Sequence, residues 1–183
     1  MTEFSDKQRF DTLIVPHLDD ALSLARWLTG NMADAEDVVQ DACIRAFKAI
    51  DACDDAKARG WLLAIVRNCS FTWMARNRPK SLIVTDDDQM LDHANARGQI
   101  APQTPETDLI ARAESQMLHS AIAALPLAYR ETLVLRELNE CSYREIAEIV
   151  QVPVGTVMSR LARARALLCA EITRMQTMSG PGL

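Results

Sequence analysis

The 183-residue sequence has few of the residues that interrupt or crosslink a fold, with six glycines, seven prolines and five cysteines. The cysteines are widely scattered, form no CxxC pair and have no histidine at ligand spacing, so reduced and mostly buried thiols are favoured over a zinc or redox site. A glycine-rich phosphate loop, a nucleophile motif and a carboxylate pair with acid–base geometry are missing too. We therefore expect no enzyme, no catalytic residue, no metal and no cofactor.

Long apolar runs are also missing, although 49% of the residues are hydrophobic. No run approaches the roughly 20 residues that cross a bilayer, and the N-terminal MTEFSDKQRF lacks the apolar core of a signal peptide. The sequence thus predicts a cytoplasmic protein without direct membrane insertion. Aromatic residues make up only 5%, no strand-like alternation persists, and alanine, leucine and isoleucine dominate, so we expect an all-α fold.

Positive charge is in deficit, since the formal net charge is −5. Residues 1–55 hold five Lys or Arg against twelve Asp or Glu, whereas residues 56–80 hold six basic residues and no acid. Residues 81–113 are acidic again, and residues 152–174 carry four arginines against Glu171 alone. Two basic patches in acidic surroundings can contact phosphate at short range but attract DNA weakly from a distance. Such a chain needs a partner to bring it to DNA.

Helical periodicity predicts a short helix interrupted by Pro16, then helices over about 17–29, 34–50 and 56–77. Asp34 is the expected N-cap of the helix that ends near Ile50. Residues 79–106 contain three prolines, a glycine and the run Asp86-Asp87-Asp88, and predict a mobile linker. Further helices are predicted over 106–124 and 127–138, before a final pair. The chain should therefore form two small helical domains.

The final pair lies in SYREIAEIVQVPVGTVMSRLARARALL, residues 142–168, which has the pattern of a helix-turn-helix. Ser142 and Glu145 have capping-box spacing, small Ala147 lets a second helix cross closely, and Pro153 suits the first position of that second helix. At 100° per residue, one face of the second helix is apolar and should be core: Val157, Leu161, Ala164 and Leu168. The opposite face is small and polar with an arginine fringe, as a major-groove helix requires. The ordinary alternative is a helical hairpin with solvated arginines.

The sequence pattern leaves the function of two other segments open. The basic patch 56–80 is interleaved with Trp61, Phe71 and Trp73, which suits separated strands whose bases stack on rings, but the tryptophans also fit core positions. The helix 34–50 concentrates acids in its first half. Those acids fit either a solvated helix face or a surface that docks a basic protein.

Together these segments resemble, in order, bacterial extracytoplasmic-function sigma factors. DAEDVVQDACIRAF resembles their core-polymerase-binding helix, and GWLLAIVRNCSFTWMARNR resembles the segment that melts and reads the −10 element. ALPLAYRETLVLRELNECSYREIAEIVQVPVGTVMSRLARAR is similar to their −35-binding domain. The resemblance implies sigma domain 2 over residues 5–80, a flexible acidic linker over 81–109, and a helix-turn-helix sigma domain 4 over 110–175.

The resemblance also implies a function and its partners. The chain would bind core RNA polymerase at the β′ clamp and the β flap, recognise −10 and −35 promoter DNA, and open the strands without covalent chemistry. An anti-sigma factor is the implied regulator. Core polymerase would then supply the attachment to DNA that an acidic chain lacks.

Candidate site residues follow from the same resemblance. The core-polymerase candidates lie in the acidic half of helix 34–50: Asp34, Glu36, Asp37, Gln40 and Asp41. The −10 candidates are Arg67, Asn68, Arg76 and Arg78. The −35 candidates are Thr156, Met158, Ser159, Arg160 and Arg163, with Arg144 expected to touch phosphate. Met158 stands where family members often have Arg or Lys, so a base contact there is lost or replaced by apolar contact with a thymine methyl.

The main alternative is an ordinary helix-turn-helix regulator whose N-terminal half senses a ligand or dimerises. This hypothesis leaves the basic patch 56–80 unexplained, and the sequence shows no evident dimer seam. An enzyme is the third and weakest hypothesis, because none of its motifs is present.

Overall fold

The computed structural model describes residues 2–77 and 107–178, with side chains described over 5–77 and 115–177. We call these ranges the N-terminal unit and the C-terminal unit. Both are built from helices and contain no β-strand, which confirms the all-α prediction for the described part of the chain. The predicted linker 79–106 lies outside the described residues. Within the two units, no helix combines the length and the apolarity needed to cross a lipid bilayer.

Four α-helices form the N-terminal unit: α1 Thr2–Leu13, α2 Leu18–Thr29, α3 Met32–Lys48 and α4 Ala58–Asn77. Pro16 lies in a one-turn 3₁₀ helix that separates α1 from α2, as its missing amide requires. Two further 3₁₀ turns, Ile50–Ala52 and Asp55–Lys57, connect α3 to α4. Ile50 is buried in the first of these turns, beyond the end of α3. The predicted helix ending near Ile50 therefore stops at Lys48.

The start of α3 corrects the sequence prediction. Gly30 ends α2 with φ of 91°, a left-handed conformation that glycine adopts without penalty. Asn31 then caps α3, because its side-chain oxygen accepts a hydrogen bond from the Asp34 amide at 2.9 Å. The prediction that Asp34 is the N-cap was therefore wrong. Asp34 lies inside the first turn of α3, where its carboxylate accepts a hydrogen bond from the Asn31 side-chain amide.

The C-terminal unit contains α5 Thr107–Ala123, α6 Leu127–Glu137, α7 Tyr143–Val150 and α8 Val154–Met178. The predicted capping box is confirmed, since Ser142 and Glu145 exchange both hydrogen bonds at the start of α7. Pro153 lies immediately before α8, one position earlier than predicted, and its carbonyl accepts from Thr156 and Val157. The predicted core face of α8 is confirmed as well: Val157, Leu161 and Ala164 are buried and Leu168 is half-buried against them.

The two units share a continuous hydrophobic core. Helices α2, α3 and α4 pack on one another, as do α6, α7 and α8. Contacts of α2 with α6 and of α4 with α7 then join the units. These two joins bring the surfaces predicted for −10 and −35 DNA close together.

Removing the α7 cap should lower stability. In Ser142→Ala the Glu145 amide loses its partner, so the free energy of unfolding should fall by about 1 kcal/mol. Urea unfolding followed by circular dichroism measures this change. Ser142→Thr, which keeps the hydroxyl, is the control and should stay close to the original protein; an unchanged Ala variant would show that the cap is not needed.

Candidate nucleic-acid interface

The second helix of the helix-turn-helix presents a small, exposed outer face. Met158 is 54% exposed, and Ser159 and Arg163 are also exposed, while Thr156 is half-buried. The Ser159 hydroxyl donates to the Thr156 carbonyl at 3.0 Å, which keeps this polar group close to the helix surface. Arg144 is exposed on the neighbouring helix α7. Small side chains on this face leave room for the close approach that a groove demands.

Two of the four arginines of α8, Arg160 and Arg163, point to different places. Arg163 is exposed and donates to the Tyr129 hydroxyl at 3.5 Å. Arg160 has only 14% of its side chain exposed and lies 3.7 Å from a carboxylate oxygen of Glu131. In this conformation, therefore, Arg163 belongs to the outer face and Arg160 is drawn toward the protein interior.

Glu131 is the charged residue that the sequence analysis missed. Its side chain is 1% exposed on α6, where Arg67 of α4 donates to its two oxygens at 2.6 and 3.2 Å. Burial raises the pKa of Glu131, while the hydrogen bond from Arg67 and the charges of Arg67 and Arg160 act in the opposite direction. A signal for this residue was present: Glu131 lies three and four positions before the core residues Val134 and Leu135, so it falls on the apolar face of its helix.

The residues predicted for −10 DNA are spread along α4. Arg67 is 18% exposed and its guanidinium lies over the Phe71 ring, 4.4 Å from the centroid. Asn68 and Arg76 are exposed. Arg78 lies outside the described residues. The structure thus places Asn68 and Arg76 in solvent and Arg67 in the contact between the units.

The aromatic residues of the basic patch pack inward. Trp61, Phe71 and Trp73 are half-buried and contact the hydrophobic core. Core packing was one of the two uses that the sequence left open for the tryptophans. In this conformation the rings support the helix, and only part of each ring remains exposed.

Charges from other segments neutralise part of the basic patch. Arg59 donates to Asp20 at 2.6 Å, and Lys57 lies 3.2 Å from Glu148. Burial pushes the pKa of Asp20 upward, but the hydrogen bond and charge of Arg59, with help from Asn139, hold it below its usual range. Glu131 and Glu148 both belong to the C-terminal unit. The patch that looked purely basic in sequence is therefore partly paired with acids from the other half of the chain.

A shallow groove with an acidic rim lies between α2 and α3. Its floor contains Leu18, Leu22 and Val39, and its walls include Asp19, Glu36, Asp37 and Gln40. Three of the candidates for polymerase binding therefore line one groove. Of the other two, Asp41 is exposed and pairs with Arg45 at 2.8 Å, and Asp34 is used in the helix cap.

The five cysteines are free thiols in the structure. Cys53, Cys69 and Cys141 are buried, Cys43 is half-buried and Cys169 is exposed. Burial raises the pKa of Cys69 and Cys141 to about 11, so their reactive thiolate is scarce at neutral pH. Within the described ranges, no three His, Cys, Asp or Glu side chains are grouped in a way that could hold a metal ion.

These features define an all-helical DNA-binding protein in two parts, with a helix-turn-helix in the second part. A family model described as sigma-70 region 2 matches residues 13–79, and one described as sigma-70, region 4 matches residues 115–168. The chain is 33% identical over 164 residues to the RNA polymerase sigma-H factor of Pseudomonas aeruginosa, covering 87% of this chain and 84% of that protein. It is 31% identical over 169 residues to the ECF RNA polymerase sigma factor SigW of Bacillus subtilis, covering 89% and 88%. This chain belongs to the sigma-70 family of RNA polymerase sigma factors, in the extracytoplasmic-function group.

Solved structures agree with this assignment. The sigma factor RpoE in complex with the anti-sigma factor NepR from Bartonella quintana aligns with a TM-score of 0.66 and 25% identity, covering 90% of this chain and 96% of that one. CnrH in complex with the cytosolic domain of CnrY aligns with a TM-score of 0.64 and 25% identity, covering 94% and 97%. The agreement extends over both units, so the fold of the described residues is that of these sigma factors.

The thiol environments predict a simple labelling pattern. Under native conditions a maleimide should react fastest at Cys169, slowly at Cys43, and at the three buried thiols only after unfolding, because burial excludes the reagent. Intact-mass and peptide mass spectrometry measure the order. Cys169→Ser should remove the fast phase. Rapid labelling of Cys69 or Cys141 in the folded protein would contradict the described packing.

Proposed function

We propose that the chain is a promoter-specificity subunit of RNA polymerase. It binds the core enzyme, recognises −10 and −35 elements and opens the strands, while the polymerase performs the chemistry, so the chain itself is not an enzyme. One observation carries this proposal. The same chain has an acid-rimmed groove within residues 13–79, which match sigma-70 region 2, and an exposed helix-turn-helix face within residues 115–168, which match sigma-70, region 4. The proposed place of action is the cytoplasm, where bacterial transcription occurs.

The groove between α2 and α3 is the proposed contact for the β′ clamp of core polymerase. Its apolar floor and acidic rim suit a basic, amphipathic helical surface, because apolar burial supplies affinity and opposite charges supply orientation. Glu36, Asp37 and Gln40 line the groove, and Asp41 lies at the following turn of the same helix. Asp34 has an indirect role in this proposal, since it helps Asn31 fix the start of α3.

The outer face of α8 is the proposed −35 reader. Ser159 and Arg163 can hydrogen-bond to base edges or phosphates, and Met158 offers apolar contact to a thymine methyl. Arg144, exposed on α7, is the proposed phosphate contact, and Thr156 and Arg160 complete the proposed set. In the same proposal, sigma domain 4 spans residues 110–175 and also contacts the β flap.

Helix α4 and the residues just beyond it are the proposed −10 reader, within a sigma domain 2 of residues 5–80. Asn68 and Arg76 lie about 12 Å apart along the helix axis, a separation that suits an extended strand. Arg67 and Arg78 are the other members of the set. The half-buried rings of α4 keep part of their surface exposed for contact with unpaired bases.

An anti-sigma factor is the proposed regulator. One similar solved structure, which covers 90% of this chain, contains the anti-sigma factor NepR. That structure shows that this fold can be held by an inhibitory protein. The linker 81–109, proposed to thread through the polymerase, would then be released together with the two units.

Arg163→Ala should weaken promoters that depend on the −35 element. Loss of one base or phosphate contact should cost about 1–3 kcal/mol of promoter binding, while affinity for core polymerase stays the same. In vitro transcription and core co-elution measure the two quantities. Arg174→Ala is the control, because it removes the same charge from the same helix about 16 Å away. Equal loss of both activities in Arg163→Ala would count against the assignment.

Charge reversal in the groove helix should weaken core binding. Asp37→Lys with Asp41→Lys replaces attraction by repulsion, so affinity for core polymerase should fall about tenfold or more. Fluorescence titration of labelled chain with core enzyme measures this affinity. The matched control is Asp11→Lys with Asp51→Lys, two exposed acids outside the groove with the same change in net charge. If both double variants bind equally well, α3 is not the docking helix.

A further inference from the structure

The second helix of the helix-turn-helix carries an exposed apolar strip beside its polar reading face. Met158 is 54% exposed, more than any other large hydrophobic side chain of the described residues, and Val154, one turn before it, is 38% exposed. Residues four positions apart are neighbours on a helix surface, so these two side chains form one patch. We call Val154 and Met158 the apolar edge of α8. It is separate from the core face of the same helix, where Val157 and Leu161 are buried.

The side chains that surround Met158 on the helix surface carry no hydrogen-bonding group. A helical residue is flanked by the residues three and four positions before and after it. For Met158 these residues are Val154, Gly155, Leu161 and Ala162. Leu161 belongs to the buried core, and the other three are exposed. A base edge that meets this part of α8 therefore finds no side-chain donor or acceptor among them.

Gly155 leaves room for DNA to come close to the apolar edge. A Cβ atom added at Gly155 would meet no heavy atom within 4 Å, apart from its chain neighbours and the backbone of its own helix. At about 100° per residue, Gly155 and Ala162 lie between Met158 and Ser159 on the helix surface. The outer face of α8 thus has small residues at its centre, the apolar edge on one side, and the polar Ser159 and Arg163 on the other.

Positive charge is kept away from the apolar edge. Among the arginines of α8, only Arg165 shares the side of the helix on which Met158 lies. Arg165 is seven positions further along, which corresponds to about 10 Å of helix. Its guanidinium donates to the Glu137 carboxylate of α6 at 2.7 Å. The apolar edge therefore has no adjacent arginine of its own helix with which to bind a guanine.

The chemistry of the apolar edge matches one feature of the major groove. Guanine and adenine present hydrogen-bonding atoms there, cytosine presents an amino donor, and thymine alone adds a methyl group at C5. A polar base edge pressed against Met158 would lose water and gain no hydrogen bond. A C5-methyl group would instead bury apolar surface against the flexible thioether chain. 5-Methylcytosine carries the same methyl group at the same position of its ring.

We propose that the apolar edge of α8 reads pyrimidine C5-methyl groups in the −35 element. The inference rests on the proposed function, because it requires α8 to lie in the major groove of −35 DNA. It goes further in two respects: Val154 acts together with Met158, and the recognised feature is the methyl group itself. Thymine is the ordinary source of that group, and a 5-methylcytosine at the same position is recognised in its place.

Base analogues in the −35 element test this proposal in the complete holoenzyme. The element is located by mapping the transcript 5′ ends that the chain makes with core polymerase. Each thymine of the element, on either strand, is then replaced in turn by deoxyuridine, which lacks only the C5-methyl group. Promoter affinity is measured by competition against the unmodified duplex. At the position that meets the apolar edge, deoxyuridine should lower affinity about fourfold, the effect of one buried methyl group.

Substitutions in the chain assign this effect to the apolar edge. In Met158→Ala, and more weakly in Val154→Ala, the fourfold difference between thymine and deoxyuridine should shrink, because the methyl group has lost its contact. Leu167→Ala is the matched control, since Leu167 is another exposed apolar residue of α8, 41% exposed and about 14 Å further along the helix. The control should keep the full fourfold difference.

Cytosine at the same position tests the second source of the methyl group. An unmethylated C·G pair should weaken binding, and 5-methylcytosine in that pair should recover about fourfold in affinity. The recovery should be absent from the Met158→Ala holoenzyme, because that variant has no apolar side chain long enough to meet the methyl group.

The outcomes separate this inference from the proposed function. Normal −35-dependent initiation would overturn the inference alone if deoxyuridine caused no loss, if cytosine methylation caused no gain, or if Met158→Ala responded like the original chain. A −35 element without any A·T pair would overturn it as well. If the chain neither binds core polymerase nor directs initiation, the proposed function fails and the inference falls with it.

Discussion

A buried carboxylate needs cations beside it, and that requirement links the two halves of this sigma factor. Glu131 projects from the apolar face of α6 and is satisfied by Arg160 from its own unit and by Arg67 from the other. Because one partner comes from each unit, the full set of contacts exists only when the units lie together. The packing of α2 on α6 and of α4 on α7 provides the apolar frame for this ion cluster.

This cluster and two neighbouring ion pairs neutralise part of the basic patch. A net charge of −5 gives little long-range attraction to DNA, and three basic residues of the 56–80 patch, Lys57, Arg59 and Arg67, are paired with acids in the structure. The outer face of α8 and the groove between α2 and α3 remain exposed. A chain of this kind can meet a protein partner first and engage DNA afterwards, which is the order that a polymerase subunit requires.

Local patterns in the sequence predicted the local structure well. Helical periodicity located the helices and the core face of α8, and the Ser142–Glu145 spacing predicted a cap that depends only on neighbouring residues. The Asp34 cap was wrong because Asn31, next to the left-handed Gly30, has the extended backbone that a cap needs. Arg67 and Arg160 were predicted as surface readers; their shared partner Glu131 is 64 and 29 positions away in sequence, a pairing that only tertiary packing determines.

As a sigma factor, this chain directs core RNA polymerase to promoters. The most direct measurement is reconstitution of the purified chain with core enzyme, with co-elution followed by mapping of transcript 5′ ends on genomic DNA. We expect a stable complex that starts transcription at sites sharing two spaced upstream elements. A chain that neither co-elutes nor redirects initiation, yet binds a duplex site by itself, would contradict it.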